Sequence, residues 1–435
     1  MNNSVNSFYT IISGLFIYNE DSIDRNMLQR DYFPWQNRIF DGNYKDTFDY
    51  LKANYYNNYL NNIFPEINEP DRLKRKEYDL LDHCTFKDCI DNKQAYSDME
   101  LELYNKDSLL FNICHSDLYL FPHNIGIFSI KVELSDKNMT LENVSDFTNK
   151  IRLLGTAIKL NNAKESTVKQ LVEDVFLQAI SLEEDWAAYN PQLKSYIQLD
   201  LKEEQSDQQR NQLLYDLGNI SPLGSAAGEG GLAPSKEYYQ SQLLENRISV
   251  FNNWSALALF DTFTRLSSQF PDRFHSWEYD YFNVYIHALY SKFFMYITSS
   301  KLSDVTIVNK ETSIIRDEFI EFINDELHSH VSYKFLPNLM IEKLHHSLGI
   351  ETEVKQMEIK ILRINEYLQE KRDKTLNIAI SVIAVLSVFS SLYDFSEWGV
   401  ANGYPKDWMF PYTSISISIL VFAIIFIILR KNKNN

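Results

Sequence analysis

Apolar and polar positions change their period several times along the chain. Residues 1–97 are rich in Tyr, Asn and Asp and show no clean period, and we read a mostly helical, irregular region there. From residue 98 a period of two appears. Met99, Leu101 and Leu103 alternate with charged residues, Leu118–Phe121 is a second short run, and Phe128, Ile130, Val132 and Leu134 alternate with Ser129, Lys131 and Glu133. These runs predict half-buried strands. Thr140 then stands as an N-cap before Leu141, Val144, Phe147, Ile151 and Leu154 at helical spacing. Val168, Leu171, Val172, Val175, Ala179 and Leu182 predict another amphipathic helix, and apolar segments at Ile248–Phe251 and Ala256–Phe260 close the module. Residues 98–278 are therefore read as an α/β domain.

Within it, Glu203 to Asn211 is polar throughout, and Gly218, Gly224, Gly228, Gly230 and Gly231 crowd together. The string GEGG fits neither GxGxxG nor the Walker pattern. Residues 203–235 read as a flexible insertion, with a mobile lid over a ligand as the alternative.

The period becomes helical from residue 279. Tyr281, Val284, Tyr285, Ala288, Leu289, Phe293 and Ile297 form one bulky stripe, and Ile315, Phe319, Phe322 and Ile323 another. Residues 350–393 contain neither Pro nor Gly, and Val354, Met357, Ile361, Ile364 and Leu368 recur at 3-4-3-4 spacing, a packing seam. Residues 279–375 are thus a helical bundle and stalk. Two runs of 18 residues without Asp, Glu, Lys or Arg follow, 376–393 and 412–429. Each spans roughly 27 Å as a helix, the thickness of a hydrocarbon core.

Charge orients the hairpin. Lys371, Arg372 and Lys374 precede the first run; Arg430, Lys431 and Lys433 lie in the basic tail, residues 430–435. The loop 394–411 holds Asp394, Glu397 and Asp407 against Lys406, so both termini are expected in the cytoplasm and the loop outside. Tyr393, Trp398, Tyr404, Trp408 and Tyr412 suit a membrane interface. The opening MNNSVNSFYTIISGLFIYNED lacks the basic n-region and small-residue cleavage site of a signal peptide. Net charge is −17, and residues 371–435 carry seven basic and four acidic groups, leaving −20 on residues 1–370. Such a domain repels nucleic acid and attracts cations; the Arg72-Lys74-Arg75-Lys76 cluster is the local exception, read as a solvated face.

Cys84, Cys89 and Cys114 are sparse and odd in number, which suits free core thiols in a reducing compartment better than a zinc site. Asp325, Glu326, His328, His330, His345 and His346 follow no fixed metal spacing, and we read them as surface groups at helix ends. Nothing matches a nucleophile–base pair, a P-loop or a metal-hydrolase motif, so no enzyme is expected.

One face of the stalk and first span is polar or small. It carries Glu366, Glu370 and Asp373, then Asn377, Ser381, Ala384, Val388, Ser391 and Asp394. Polar groups in hydrocarbon cost free energy unless they meet partners or water. A ring of such helices around water would explain the face, with Glu366, Glu370 and Asp373 as an acidic cytoplasmic mouth. The alternative is that the serines bond back to helix carbonyls and the hairpin is an anchor.

This layout resembles the CorA-type magnesium channel family, most closely over residues 279–435 and locally over RINEYLQEKRDKTLNIAISVIAVLSVFSSLYDFSEW. The family ends its first span in Tyr-Gly-Met-Asn; here Leu392-Tyr393-Asp394-Phe395 keeps only the Tyr. The missing triplet is similar to a divergent branch found beside type III CRISPR systems. The resemblance implies a homopentameric membrane channel, with an antiviral role and gating by a nucleotide second messenger of the S-adenosylmethionine–AMP type. Expected partners are the bilayer, sister subunits, Mg²⁺ or another divalent cation, and a small nucleotide, without direct nucleic-acid binding. A housekeeping divalent-cation transporter and a pore-less membrane-anchored sensor are the alternatives.

Overall fold

The computed structural model describes residues 5–35, 38, 44–63, 82–136, 139–161, 164–182, 186–228, 233–268, 275–304, 310–403 and 419. The chain is an α+β protein with one mixed sheet and a long C-terminal helix. Its strands are β1 (Val5–Ile17), β2 (Tyr32–Pro34), β3 (His83–Phe86), β4 (Met99–Glu102), β5 (Ser108–Phe121) and β6 (Ile125–Leu134). They continue as β7 (Ala157–Lys159), β8 (Glu165–Thr167), β9 (Lys194–Leu201), β10 (Arg247–Phe251), β11 (Trp254–Ala258) and β12 (Thr262–Ser268). The order is β10-β11-β12-β9-β1-β6-β5-β4-β7-β8, with β3 on the far half of β5 and β2 on β3. β12 runs parallel to β9; the other ladders are antiparallel.

β1 is the first departure from the expected helical region of residues 1–97. Its sequence VNSFYTIISGLFI is β-branched and aromatic, with apolar residues at both parities. That composition suits a strand covered on both faces, which has no period of two to read. It lies between β6 and β9, at the centre of the sheet. Helices do follow, at Arg25–Asp31, Tyr44–Asn54, Asn57–Ile63 and Lys87–Asp91.

One face of the sheet holds Phe8, Ile12 and Phe16 of β1, Phe128, Ile130 and Val132 of β6, and Ile197, Leu199 and Leu201 of β9, all in one core. Each such side chain contributes roughly 1.5–3 kcal/mol by leaving water. The helix Leu141–Ile151 lays Leu141, Val144, Phe147 and Ile151 on that core, and its N-cap Thr140 accepts from the Asn143 amide as expected. The helix expected over 168–182 is shorter: Val168–Leu171 continues as one wide turn, Val172–Phe176.

The polar insertion is also structured over residues 203–228. Ser206 and Gln209 form a capping box that starts the helix Asp207–Gly218, and Leu214 and Leu217 enter the core. The Asp216 carboxylate then accepts from the amides of Gly224 and Ala226, both at 2.8 Å. Gly224 and Gly228 take φ values of 89° and 92°, which only glycine adopts at no steric cost. A loop folded around its own carboxylate is not a phosphate cradle. Most of the GEGG string, residues 229–231, lies outside the described residues.

Two compact units emerge, Met1–Thr306 with Glu311–Met357, and Ile307–Lys310 with Glu358–Asn435. Residues 1–97, 98–278 and most of 279–357 thus share one unit. The helix Ile350–Ala401 has 52 residues, about 78 Å long. It is long and apolar enough to cross a membrane. Met357 and Ile361 of the predicted seam are buried. The helix does not stop at Tyr393: residues 394–401, expected as loop, continue it. Charged side chains end an apolar run without breaking a backbone ladder. Gly403, at φ 90°, follows the last turn and donates to the Val400 carbonyl. The second span 412–429, the tail 430–435, the rest of the loop and the Arg72–Lys76 cluster lie outside the described residues, apart from Ile419.

Candidate functional site

The opposite face of the same sheet is polar, and it too is buried. Residues paired across strands share a face. Tyr9 pairs with Glu133 on one side and Gln198 on the other, and Gln198 pairs with Arg265. His115 pairs with Lys131, Asp117 with Ser129, and Thr85 with Asp117. The bulge at Cys114 keeps His115 and Asp117 on this face while Ile113 and Leu118 stay in the apolar core. So two of the three polar residues of β6, legible as one side of a half-buried strand, do not meet solvent: Ser129 is 0% exposed and Lys131 8%.

Helical segments cover this face. Phe121 stacks on Tyr290, and Tyr196 packs on Phe282 and Tyr285, all three partners from the helix Asp280–Asp304. Just before it, Trp277 lies over the Arg265 guanidinium at 4.6 Å and accepts from the Tyr196 hydroxyl through its carbonyl at 2.9 Å. Burial pulls the Arg265 pKa down to about 10, which leaves it charged at neutral pH.

Five charges alternate in sign across the site. Asp117 accepts from Thr85 Oγ1 at 2.6 Å and from Arg38 Nη2 at 2.7 Å. Arg38 Nη1 reaches Glu278 Oε1 at 3.4 Å. Lys131 Nζ donates to Glu278 Oε2 at 2.9 Å and lies 2.8 Å from Glu133 Oε1. The series runs Asp117, Arg38, Glu278, Lys131, Glu133. Burial opposes the charge on Arg38, but Asp117 and Glu278 outweigh it and hold its pKa above the ordinary value. Burial likewise opposes Lys131, and Glu278 and Glu133 reverse the effect. His115 is driven well below its usual range by burial, then by Arg38 and Lys131, so it is neutral. Its Nδ1 lies 3.4 Å from Arg38 Nη1.

The series opens at one end into a cavity of about 500 Å³ lined by Asn6, Tyr9, Lys131, Glu133, Glu278, Tyr279 and Met139; Phe8 and Leu134 border it at the strand ends, with their side chains in the core. Glu133 is 40% exposed there, while Asp117 at the other end is 0% exposed. Lys131 Nζ sits 4.5 Å from the centre of the Tyr9 ring. Buried ion pairs are seldom a gain in stability over apolar packing, and a cavity with a few convergent polar groups is the usual form of a ligand site. The arrangement can bind and orient a small molecule. Burial lifts the thiol of Cys114, near Glu133, to about 12, so it stands protonated at neutral pH.

The alternation in β6 is the signal of this site read from the sequence. β9 carries the same signal, Tyr196, Gln198 and Asp200 against Ile197, Leu199 and Leu201. Arg38, Asp117 and Glu278 come from three distant segments and have no local signature.

The predicted pore residues all lie on the long helix. Asn377, Ala384, Val388, Ser391 and Asp394 are exposed and Ser381 is half-buried. Ser381 Oγ donates to the Asn377 carbonyl at 2.7 Å, Ser387 to Ile383 and Ser391 to Ser387, each at 2.9 Å. These hydroxyls are satisfied within the helix. Glu366, Glu370 and Asp373 are exposed, and Glu370 pairs with Lys374 at 2.8 Å. Asp394 stands in the helix rather than in a loop.

The histidine group is only partly a surface feature: Asp325, His330 and His346 are exposed as expected. His345 and Glu326 are buried, and His287 stacks on His328. Burial lowers His345 to about 4. Among the described residues no group of three or more His, Cys, Asp or Glu could hold a metal ion; Cys84, Cys89 and Cys114 are free thiols. Compared with known protein families, curated proteins and solved structures, the chain matches none.

Proposed function

We propose that this protein is a membrane-anchored channel of CorA-like layout, opened by a small ligand that binds the cavity beside Glu133 and Glu278. In this reading Leu376–Tyr393 and Tyr412–Leu429 both span the cytoplasmic membrane, five copies surround a pore, and both termini face the cytoplasm. The observation that carries it is the tie between the site and the long helix. Glu278 precedes the helix Asp280–Asp304, and Lys292 of that helix pairs with Glu353 in the first turns of Ile350–Ala401. A ligand that displaces Glu278 acts on an element bonded to the start of the apolar helix, and it shifts the channel only by binding its two states unequally. The antiviral role implied by the family resemblance belongs to this proposal; its nucleotide second messenger is the alternative occupant, which the carboxylates of this cavity disfavour. The test is ion flux from liposomes carrying the full chain, with and without candidate ligands. Flux on ligand addition supports the channel; ligand binding without flux of any ion removes it.

A second reading, a pore-less anchored sensor, is favoured by the serine hydroxyls that bond back to their own helix. The same liposomes separate the two.

A further inference from the structure

The alternating charges stop one short. Asp117, Arg38, Glu278, Lys131 and Glu133 hold three carboxylates and two cations, with His115 neutral beside them. The series therefore carries one surplus negative charge. The surplus falls on Glu133, the most exposed of the three members that line the cavity. Its neighbour Lys131 cannot serve an incoming anion as a free cation, because Glu278 and Glu133 flank it at 2.9 and 2.8 Å. A phosphate entering here would meet two carboxylates and an ammonium already shared between them.

We propose that the cavity recognises a small organic monocation, a primary ammonium on an apolar body, whose charge pairs with Glu133 and completes the series. The walls fit both halves. The half-buried Met139 and Tyr279 offer apolar contact, and Glu133, Glu278 and Asn6 offer oxygen acceptors at one end. Lys131 on the Tyr9 ring shows that this corner already holds an ammonium against an aromatic face. The volume of about 500 Å³ suits a metabolite-sized molecule. This inference rests on the cavity being the ligand site, and not on the chain being a channel.

Two probes of the same shape and opposite charge test it: phenethylamine and phenylacetate, each titrated calorimetrically into the full chain in detergent, with AMP as a third arm. Phenethylamine is expected to bind and the two anions are not. Glu133→Gln should weaken phenethylamine by about tenfold, the loss of one charge-assisted hydrogen bond. Glu342→Gln, an exposed change of equal charge on the helix Phe335–Ser347, should leave it unaltered. Glu133 is partly exposed, so its variant is expected to fold, and the thermal midpoint of the unliganded protein checks this. Phenylacetate or AMP binding as tightly as phenethylamine, no binding of phenethylamine, or equal affinity in Glu133→Gln each overturns the proposal. No ion flux is read here, so failure of the channel reading leaves this result standing, and failure here leaves the channel open to an anionic ligand.

Discussion

Glu278 Oε2 lies 2.9 Å from Lys131 Nζ, and its other oxygen faces Arg38 Nη1 at 3.4 Å. One carboxylate thus bridges a strand cation and a helical one over a sheet face from which water is nearly excluded. Removing it leaves two buried cations with a single carboxylate each. Glu278→Gln should lower stability by about 3 kcal/mol, read by urea unfolding. In a double-mutant cycle with Lys131→Met the two losses should fail to add. Additive losses would mean that the pair is not coupled.

Asp280 supplies a pH dependence. Burial lifts its carboxyl to about 6, although the Tyr50 hydroxyl donates to it at 2.6 Å and Lys334 is near. The folded protein therefore holds this proton more tightly than the unfolded chain. Stability from the group is full below the ordinary carboxyl value of 3.8, falls as pH rises towards 6, and is level above. Asp280→Asn should abolish that slope and gain up to about 3 kcal/mol at pH 7 relative to pH 4. Denaturant midpoints of both proteins from pH 4 to 8 decide it; a constant difference across the range is the contrary result.

Gly14 and Gly126 make room for each other's neighbours across β1 and β6. Gly14 pairs with Phe128 and Gly126 with Phe16. A Cβ on Gly14 would stand 2.3 Å from the Phe128 ring, and one on Gly126 2.2 Å from the Phe16 ring. Gly14→Ala should cost about 1–3 kcal/mol by overpacking, measured as a lowered thermal midpoint. An unchanged midpoint would show that the rings move freely.

Lys292 and Glu353 connect the site to the long helix. Glu353→Gln should leave ligand affinity in detergent within about twofold, as for a partly exposed pair, while ligand-driven flux falls. Equal flux from variant and parent would dismiss this link.

Asn377 and Ser381 bear on the pore itself. Replacing either by Leu should alter conductance and leave assembly intact, since both positions are open to the surroundings of the chain. Identical currents in both variants would take them off the pore wall.

The residues by themselves determined the long helix, its packing seam, the helix after Thr140 and the period of β6. Each depends on neighbours within a few turns, and local spacing reports such neighbours faithfully. Local spacing also misled. An alternating strand shows that its two sides differ in polarity, but not that the polar side is wet, and here Arg38 and the helical segments of residues 275–304 close over it. β1 carried no period because both its faces are covered, and residues 203–228 looked like a linker because their capping box and Asp216-centred loop are made of polar groups. Only the tertiary structure decided that Asp117, Arg38, Glu278, Lys131 and Glu133 form one series. A Coulombic arrangement is set by distances in space, and these five come from four separate stretches of chain.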